Sequence, residues 1–372
     1  MNVTASREKD QLDPFGSSSI HDYNRLMQQF GIQPFHPFLD RIPEPLDLMR
    51  RGVVFGHRDF EQVLEAMSSR LPFAVMSGIK PTGSFHLGTM MIARQISYYQ
   101  KLGGEAFYCI ADVEAYEDNG QPFQESLVNA VSNVADLLAV GFDTAKGHIY
   151  LQSRERHVND LAVLFARKVS LSIVTAIYGE RHLGLYLSAL MQAGDMLMPQ
   201  LPEMGGPRPT LIPVGADQDP HLRLTRDLAA AFQRSHGFLT PSSTYHKLVD
   251  SLDGSRKMSK RSPMGHFTLS ESPGAVREKI LQAFTGGQAT AEEQRRTGGN
   301  PEICPVYQLG QFLFQESDDE LKRLHADCRA GYILCGECKL REASSVERYL
   351  SNHQRRKRLF IDRATDIVGA LD

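Results

Sequence analysis

From Pro72 onward the chain switches repeatedly between two hydrophobic periods. FAVMSGI (73–79) is a short, nearly unbroken apolar run, the pattern of a strand covered on both faces. Helical spacing follows from His86 to Lys101 and stops at Gly103-Gly104. EAFYCIA (105–111) reads as a second strand, and ESLVNAVSNVADLLAVGF (125–142) is apolar at helical spacing. HIYLQS (148–153) and TLIPVGA (210–216) are further strand candidates, with helices between and after them. This alternation predicts an α/β fold built on a doubly wound parallel sheet. After about Ser270 the strand signals stop, and helical periodicity runs from PGAVREKILQAF to ERYLSNHQRRKRLF. Residues 1–71 are less regular, with a helix predicted around DYNRLMQQF. The expected organisation is an N-terminal extension (1–71), an α/β domain (72–270) and a C-terminal α-helical domain (271–372).

Composition narrows the class. The 372 residues are 41% hydrophobic and 23% charged, with mean hydropathy −0.31, as in ordinary globular proteins. No apolar run reaches the roughly 18 residues of a membrane span, and MNVTASREKDQLDPFG lacks the apolar centre of a signal peptide. A cytoplasmic protein with no membrane partner is expected. The net charge of −3 gives no global drive toward nucleic acid, so any such binding must rest on local patches. Tryptophan is absent, and five cysteines in a reducing compartment favour metal binding over disulfides.

Two polar stretches carry candidate chemistry. DGSRKMSKRSP (253–263) is strongly cationic, almost free of apolar residues and bounded by turn formers: a surface loop, or a mobile clamp for polyphosphate. SGIKPTGSFHLGT runs from a strand through a Gly/Pro/Ser turn into a helix opened by His86-Leu87-Gly88. A helix N-terminus at a strand's carboxyl end offers free N–H groups to phosphate. His86 can donate to a phosphate oxygen, and Gly88 lets a flat base approach the backbone. Alone, this triplet is equally a tight turn with a capping histidine.

HLG and KMSKR together bracket the α/β region, and this pairing resembles the HIGH and KMSKS signatures of class I aminoacyl-tRNA synthetases. LIPVGADQDPHLRLTRDLA (211–229) resembles the GxDQ region of the tryptophanyl-tRNA synthetase family. LMRRGVVFGHRDFEQVLEAM (48–67) is similar to the extension of its archaeal and eukaryotic branch; GGNPEICPVYQLGQFL (298–313) and NHQRRKR (352–358) are similar to its C-terminal domain. Thr89 departs from the usual histidine or asparagine, and Arg261 from the final serine of KMSKS.

The resemblance implies a Rossmann-like catalytic domain that activates L-tryptophan with ATP and Mg²⁺ and charges tRNA(Trp) as a homodimer. Lys257, Ser259, Lys260 and His86 would be catalytic; His86, Gly88, Gly215, Asp217, Lys257, Met258 and Ser259 would bind ATP. Glu114 would accept the indole N–H, with Gln192 and Gln218 around the amino acid's polar groups. Met76 and Cys109 stand where relatives carry polar pocket residues, so the pocket's hydrogen bonding differs in detail. The competing readings are a tyrosyl-tRNA synthetase and a non-charging paralogue that senses nucleotide or redox state.

Cys304, Cys328, Cys335 and Cys338 form C-x23-C-x6-C-x2-C within the helical region. Four thiolates suit tetrahedral zinc or an iron–sulfur cluster equally well. The resemblance favours a 4Fe–4S cluster, since some family members hold one on nearly the same spacing. Lys339, Arg341 and Arg355–Arg358 are expected to face anticodon phosphates.

Overall fold

The computed structural model describes residues 12–15, 20, 22–255, 258 and 262–371. Seven strands form one sheet: β1 (Gln33–Pro34), β2 (Val54–Arg58), β3 (Ala74–Ile79), β4 (Glu105–Ile110), β5 (Gly147–Leu151), β6 (Thr210–Gly215) and β7 (Ser242–His246). Their order is β1-β2-β7-β6-β3-β4-β5. The five strands from β7 to β5 pair in parallel, while β1 and β2 add an antiparallel edge against β7.

Alternation along the central strands explains why helices cover both faces. Val75, Tyr108 and Ile110 belong to one apolar cluster. Ala74, Met76, Phe107 and Cys109 belong to the other. A strand's side chains point to opposite faces in turn, so an unbroken apolar run demands two covering layers. The doubly wound α/β class read from the sequence is the class observed.

Two features depart from the sequence reading. β7 is SSTYH, whose small polar residues read as loop, yet all five positions are buried. Most of its hydroxyls are met internally: Thr244 Oγ1 lies 3.2 Å from Gln95 Oε1, and Ser242 Oγ donates to the Asp59 carbonyl at 2.5 Å, while the Ser243 hydroxyl is buried with no partner among the described residues. Polar side chains enter a core when most of them find partners. Secondly, the segment before residue 72 supplies β1 and β2 to the same sheet, two strands the sequence pattern did not reveal.

The long helix Cys335–Arg358 spans 24 residues, about 36 Å at 1.5 Å per residue. It packs along the helix Pro273–Gln282 and also against Phe123–Val140, which covers the sheet. The last helix, Ile361–Leu371, returns to Phe123–Val140 as well. Among the described residues no single helix is long and apolar enough to cross a membrane.

Asp219 fixes the N-terminal segment to the parallel sheet. It has no exposed surface and receives Arg58 at 2.8 Å, Arg223 at 3.0 Å and the Tyr245 hydroxyl at 2.7 Å. Arg58 also donates to the Phe30 and Gly31 carbonyls, so one carboxylate joins the first helix, β2, β7 and the helix Asp219–His236. Removing one member of a buried pair strands the other's charge. Asp219→Ala is therefore expected to lower the unfolding free energy by about 3–5 kcal/mol in urea titration; a loss under about 1 kcal/mol would refute this role.

Candidate active site

The carboxyl ends of β3, β4, β6 and β7 open into one cavity of about 450 Å³, where β6 and β4 leave β3 on opposite sides. Such a reversal of strand order leaves a crevice above the sheet, the usual ligand site of open α/β folds. The structure brings His86, Gly88, Glu114, Gln192, Gly215, Asp217, Gln218 and Met258 to this cavity. Lys257, Ser259, Lys260 and Arg261 lie outside the described residues.

His86 is the N-cap of the helix Leu87–Lys101, with extended backbone (φ −108°, ψ 174°). Its Nδ1 accepts from the Thr89 N–H at 3.3 Å, and its Nε2 lies 3.1 Å from Thr89 Oγ1. The capping reading of this histidine thus holds, and Thr89 is its hydroxyl partner. With Nδ1 accepting, the ring proton belongs on Nε2, which faces the Thr89 hydroxyl. Gly88 is needed for the same reason: a Cβ there would lie 3.2 Å from the folded-back imidazole. Gly215 plays a parallel part across the cavity, where a Cβ would sit 2.7 Å from Asp217 Oδ1. Both glycines let a polar side chain lie over its own backbone beside the crevice.

The other half of the cavity holds charge. Glu114 is buried; its Oε1 lies 3.4 Å from Lys80 Nζ, and its Oε2 accepts from the Gln192 amide. Lys80 also pairs with Asp118. Glu114 therefore sits in a network before any substrate arrives, with lone pairs still available to a donor.

The sequence reading missed three residues here. Lys80 directly follows β3, at the end of a strand facing the crevice. Asp195 lies three residues after Gln192 on the same helix, a spacing that shares a face. His246 ends β7, a strand the pattern did not reveal. Burial pushes His246 down to about 4, and its Nδ1 has no hydrogen-bond partner among the described residues. A neutral imidazole with an unmet nitrogen at this wall is ready to pair with a polar ligand group.

Asp195 accepts from the Tyr150 hydroxyl at 3.0 Å and the Gln152 amide at 2.6 Å. Burial outweighs these neutral donors and raises its carboxyl to about 7. Nearby Cys109 is buried, and burial pushes its thiol up as well, so it is no ready nucleophile.

Cys304, Cys328, Cys335 and Cys338 line a second, small cavity of about 20 Å³. As they stand, the described residues include no group of three or more His, Cys, Asp or Glu arranged to hold a metal ion. Burial raises Cys338 to about 12 and Cys328 upward, with the neighbouring thiols adding to both.

The basic patch is smaller than expected. Lys339 donates to the Leu281 carbonyl at 3.0 Å, and Lys357 reaches Asp136 at 2.7 Å. Arg341, Arg355, Arg356 and Arg358 remain exposed.

A parallel sheet with a crevice at its reversal, a capped HLG turn on one side and a GADQ turn on the other defines a class I aminoacyl-tRNA synthetase. The profile of the family described as tRNA synthetases class I (W and Y) matches residues 68–351, and the chain belongs to that family. Within it, the relatives are tryptophan–tRNA ligases. Those of Aeropyrum pernix and Hyperthermus butylicus are 44% and 42% identical, over 93% and 96% of this chain and 95% and 98% of theirs. The crystal structure of tryptophanyl-tRNA synthetase from Aeropyrum pernix superposes with a TM-score of 0.88 at 43% identity, covering 97% of this chain and 98% of that one.

Asp195 also makes a pH prediction. Its folded value of about 7 lies above its ordinary 3.8, so the folded state binds the extra proton between them. Its contribution to stability is fully present below pH 4 and is lost as pH rises to about 7. Asp195→Asn should flatten the decline in unfolding free energy over that window. An unchanged slope in denaturant titrations at pH 4.5 and 7.5 would exclude a raised Asp195.

Proposed function

We propose that this chain activates L-tryptophan with ATP, releasing pyrophosphate, and passes tryptophan to tRNA(Trp) in the cytoplasm. The observation that carries the reading is the single cavity shared by the HLG turn, the GADQ turn and the Glu114–Gln192 pair. The substrate carboxylate attacks the α-phosphorus of ATP, and pyrophosphate departs. That step needs alignment and compensation of charge more than covalent help from protein. His86 and Gly88 flank the phosphates from the helix N-terminus, while Gly215 and Asp217 hold the nucleoside. Lys257, Ser259 and Lys260 follow the departing pyrophosphate, with Mg²⁺ sharing the charge. Met258 supports this role for the loop: it lines the cavity, and its N–H reaches the Val249 carbonyl at 2.8 Å.

Glu114, Gln192 and Gln218 bind the amino acid, Glu114 accepting from the indole N–H. A second acceptor is favoured by one observation: Asp195 lines the same cavity among Met76, Cys109 and Met196. Their isosteres separate the two, since whichever of Glu114→Gln and Asp195→Asn erases discrimination against phenylalanine-like substrates removes the acceptor.

The family resemblance implies a homodimer, and Val163, Leu171 and Leu183, 73%, 67% and 78% exposed on three successive helices, are apolar side chains it could cover. The four cysteines are read as a tetrathiolate metal site. Gly287 and Gly299 support it: a Cβ at either would lie 2.3 Å from Cys335 Sγ or 3.0 Å from Cys328 Sγ, so room is kept around the sulfurs. The resemblance favours 4Fe–4S, which would brace the helical region; the small cavity favours zinc. About four irons with matching sulfide per anaerobically purified chain supports the cluster, one zinc replaces it, and neither metal overturns both.

Pyrophosphate exchange should proceed with tryptophan and fall by about 10⁴ with an analogue lacking the indole N–H. Lys257→Ala should lower kcat far more than it raises the KM for ATP, because its contacts strengthen as charge develops. Equal exchange with tyrosine would sink the substrate assignment.

A further inference from the structure

We infer that the carboxyl-terminal end of the helix Cys335–Arg358 positions the His86 turn for adenylate formation, with Gln354 and Asp136 as positioning residues; the inference rests on the function proposed above.

The turn from Lys80 to His86 is held from two sides. On one side, the helix Phe123–Val140 sends Asn129 Nδ2 to the Pro81 carbonyl and Asn133 Nδ2 to the Gly83 carbonyl, each at 2.9 Å. On the other, His86 pairs with Thr268 in an isolated antiparallel bridge, and the Leu269 N–H donates to the Phe85 carbonyl at 2.9 Å. Nothing in the turn's own sequence makes these supports rigid.

Both supports end on three residues within two successive turns of one helix, His353, Gln354 and Lys357. Asp136 follows Asn133 by three positions and meets His353 Nε2 at 2.8 Å and Lys357 Nζ at 2.7 Å. Gln354 lies between them in sequence, and its amide donates to the carbonyls of Leu269 at 2.8 Å and Glu271 at 2.7 Å. Lys357 adds Ser132 at 2.8 Å and Ser270 at 3.2 Å, touching both supports at once. The helix thus clamps the two arms that grip the HLG turn, although none of its residues lines the cavity.

The energetics separate the members of the clamp. Asp136 and His353 are buried, 0% and 6% exposed, so losing either leaves an unmatched polar group and threatens folding. Gln354 is neutral and half-buried, and its removal frees two backbone carbonyls without stranding a charge. Its loss should therefore loosen residues 268–271 and the bridge to His86 at small cost in stability. A displacement of about 1 Å at such a site costs on the order of 10² in rate.

The test uses three variants of the full chain. Gln354→Met and Gln354→Glu keep the size and remove the donors, whereas Gln354→Lys keeps a donor. Met and Glu are expected to lower kcat of tryptophan-dependent pyrophosphate exchange about tenfold or more with the tryptophan KM unchanged, and Lys to restore it to within about threefold. A second readout needs no activity: amide hydrogen exchange of Leu269 and of residues 83–90 should quicken about tenfold in the Met variant, with β4 and β5 unchanged. Parent-like kcat in all three variants, or a loss confined to KM, overturns the inference. A parent chain that activates no amino acid overturns the proposed function alone, and the exchange measurement then decides the clamp: unchanged protection of Leu269 sinks it.

Discussion

A carboxylate taken out of water must be answered by charge or give up its own, and three buried aspartates show how this constraint organises the molecule. Asp219 is answered by Arg58 and Arg223, which draws the N-terminal segment onto the parallel sheet. Asp136 is answered by His353 and Lys357, which draws the C-terminal helix onto the opposite flank. Asp195 meets the neutral donors Tyr150 and Gln152, and burial raises its carboxyl to about 7. The crevice is lined by the third. Charge pairing at long sequence separation thus frames the site, while apolar burial builds the layers it stands on.

This division explains what was legible in the sequence. β3, β4 and β6 announce themselves because a strand buried on both faces has to be apolar. β7 does not, because SSTYH gains its burial from hydroxyls whose partners, Gln95 and Asp59, lie far away in the chain. Short signatures marked the nucleotide side, and the cysteine spacing marked the second cavity, since both depend on residues close in sequence. Asp136 and His353 are 217 positions apart, and no local period links them. Lys80 and His246 were hidden for a related reason: each matters because of where its strand ends, which is known only once the sheet order is known.

The same reasoning corrects the picture of the basic C-terminal run. Read as a string, NHQRRKR is a cationic patch for nucleic acid. On a helix its residues point in different directions, and the structure divides them between two tasks. His353, Gln354 and Lys357 turn inward to Asp136 and the 269–271 backbone, while Arg355, Arg356 and Arg358 face solvent. Spacing of three and four residues keeps the inward set on one face. A run that looks uniform in charge is therefore amphipathic in function.

That division bears on how distant parts of the molecule communicate. The helix Cys335–Arg358 begins at two of the cysteines and ends at the clamp on the HLG turn. Backbone hydrogen bonds between successive turns make a helix stiff along its axis, so the cysteine cavity and the clamp share one continuous element. The cysteine cavity also gathers Gly287 and, through Leu324 and Cys328, the helix Asp318–Ala330, so its packing sets where the long helix starts.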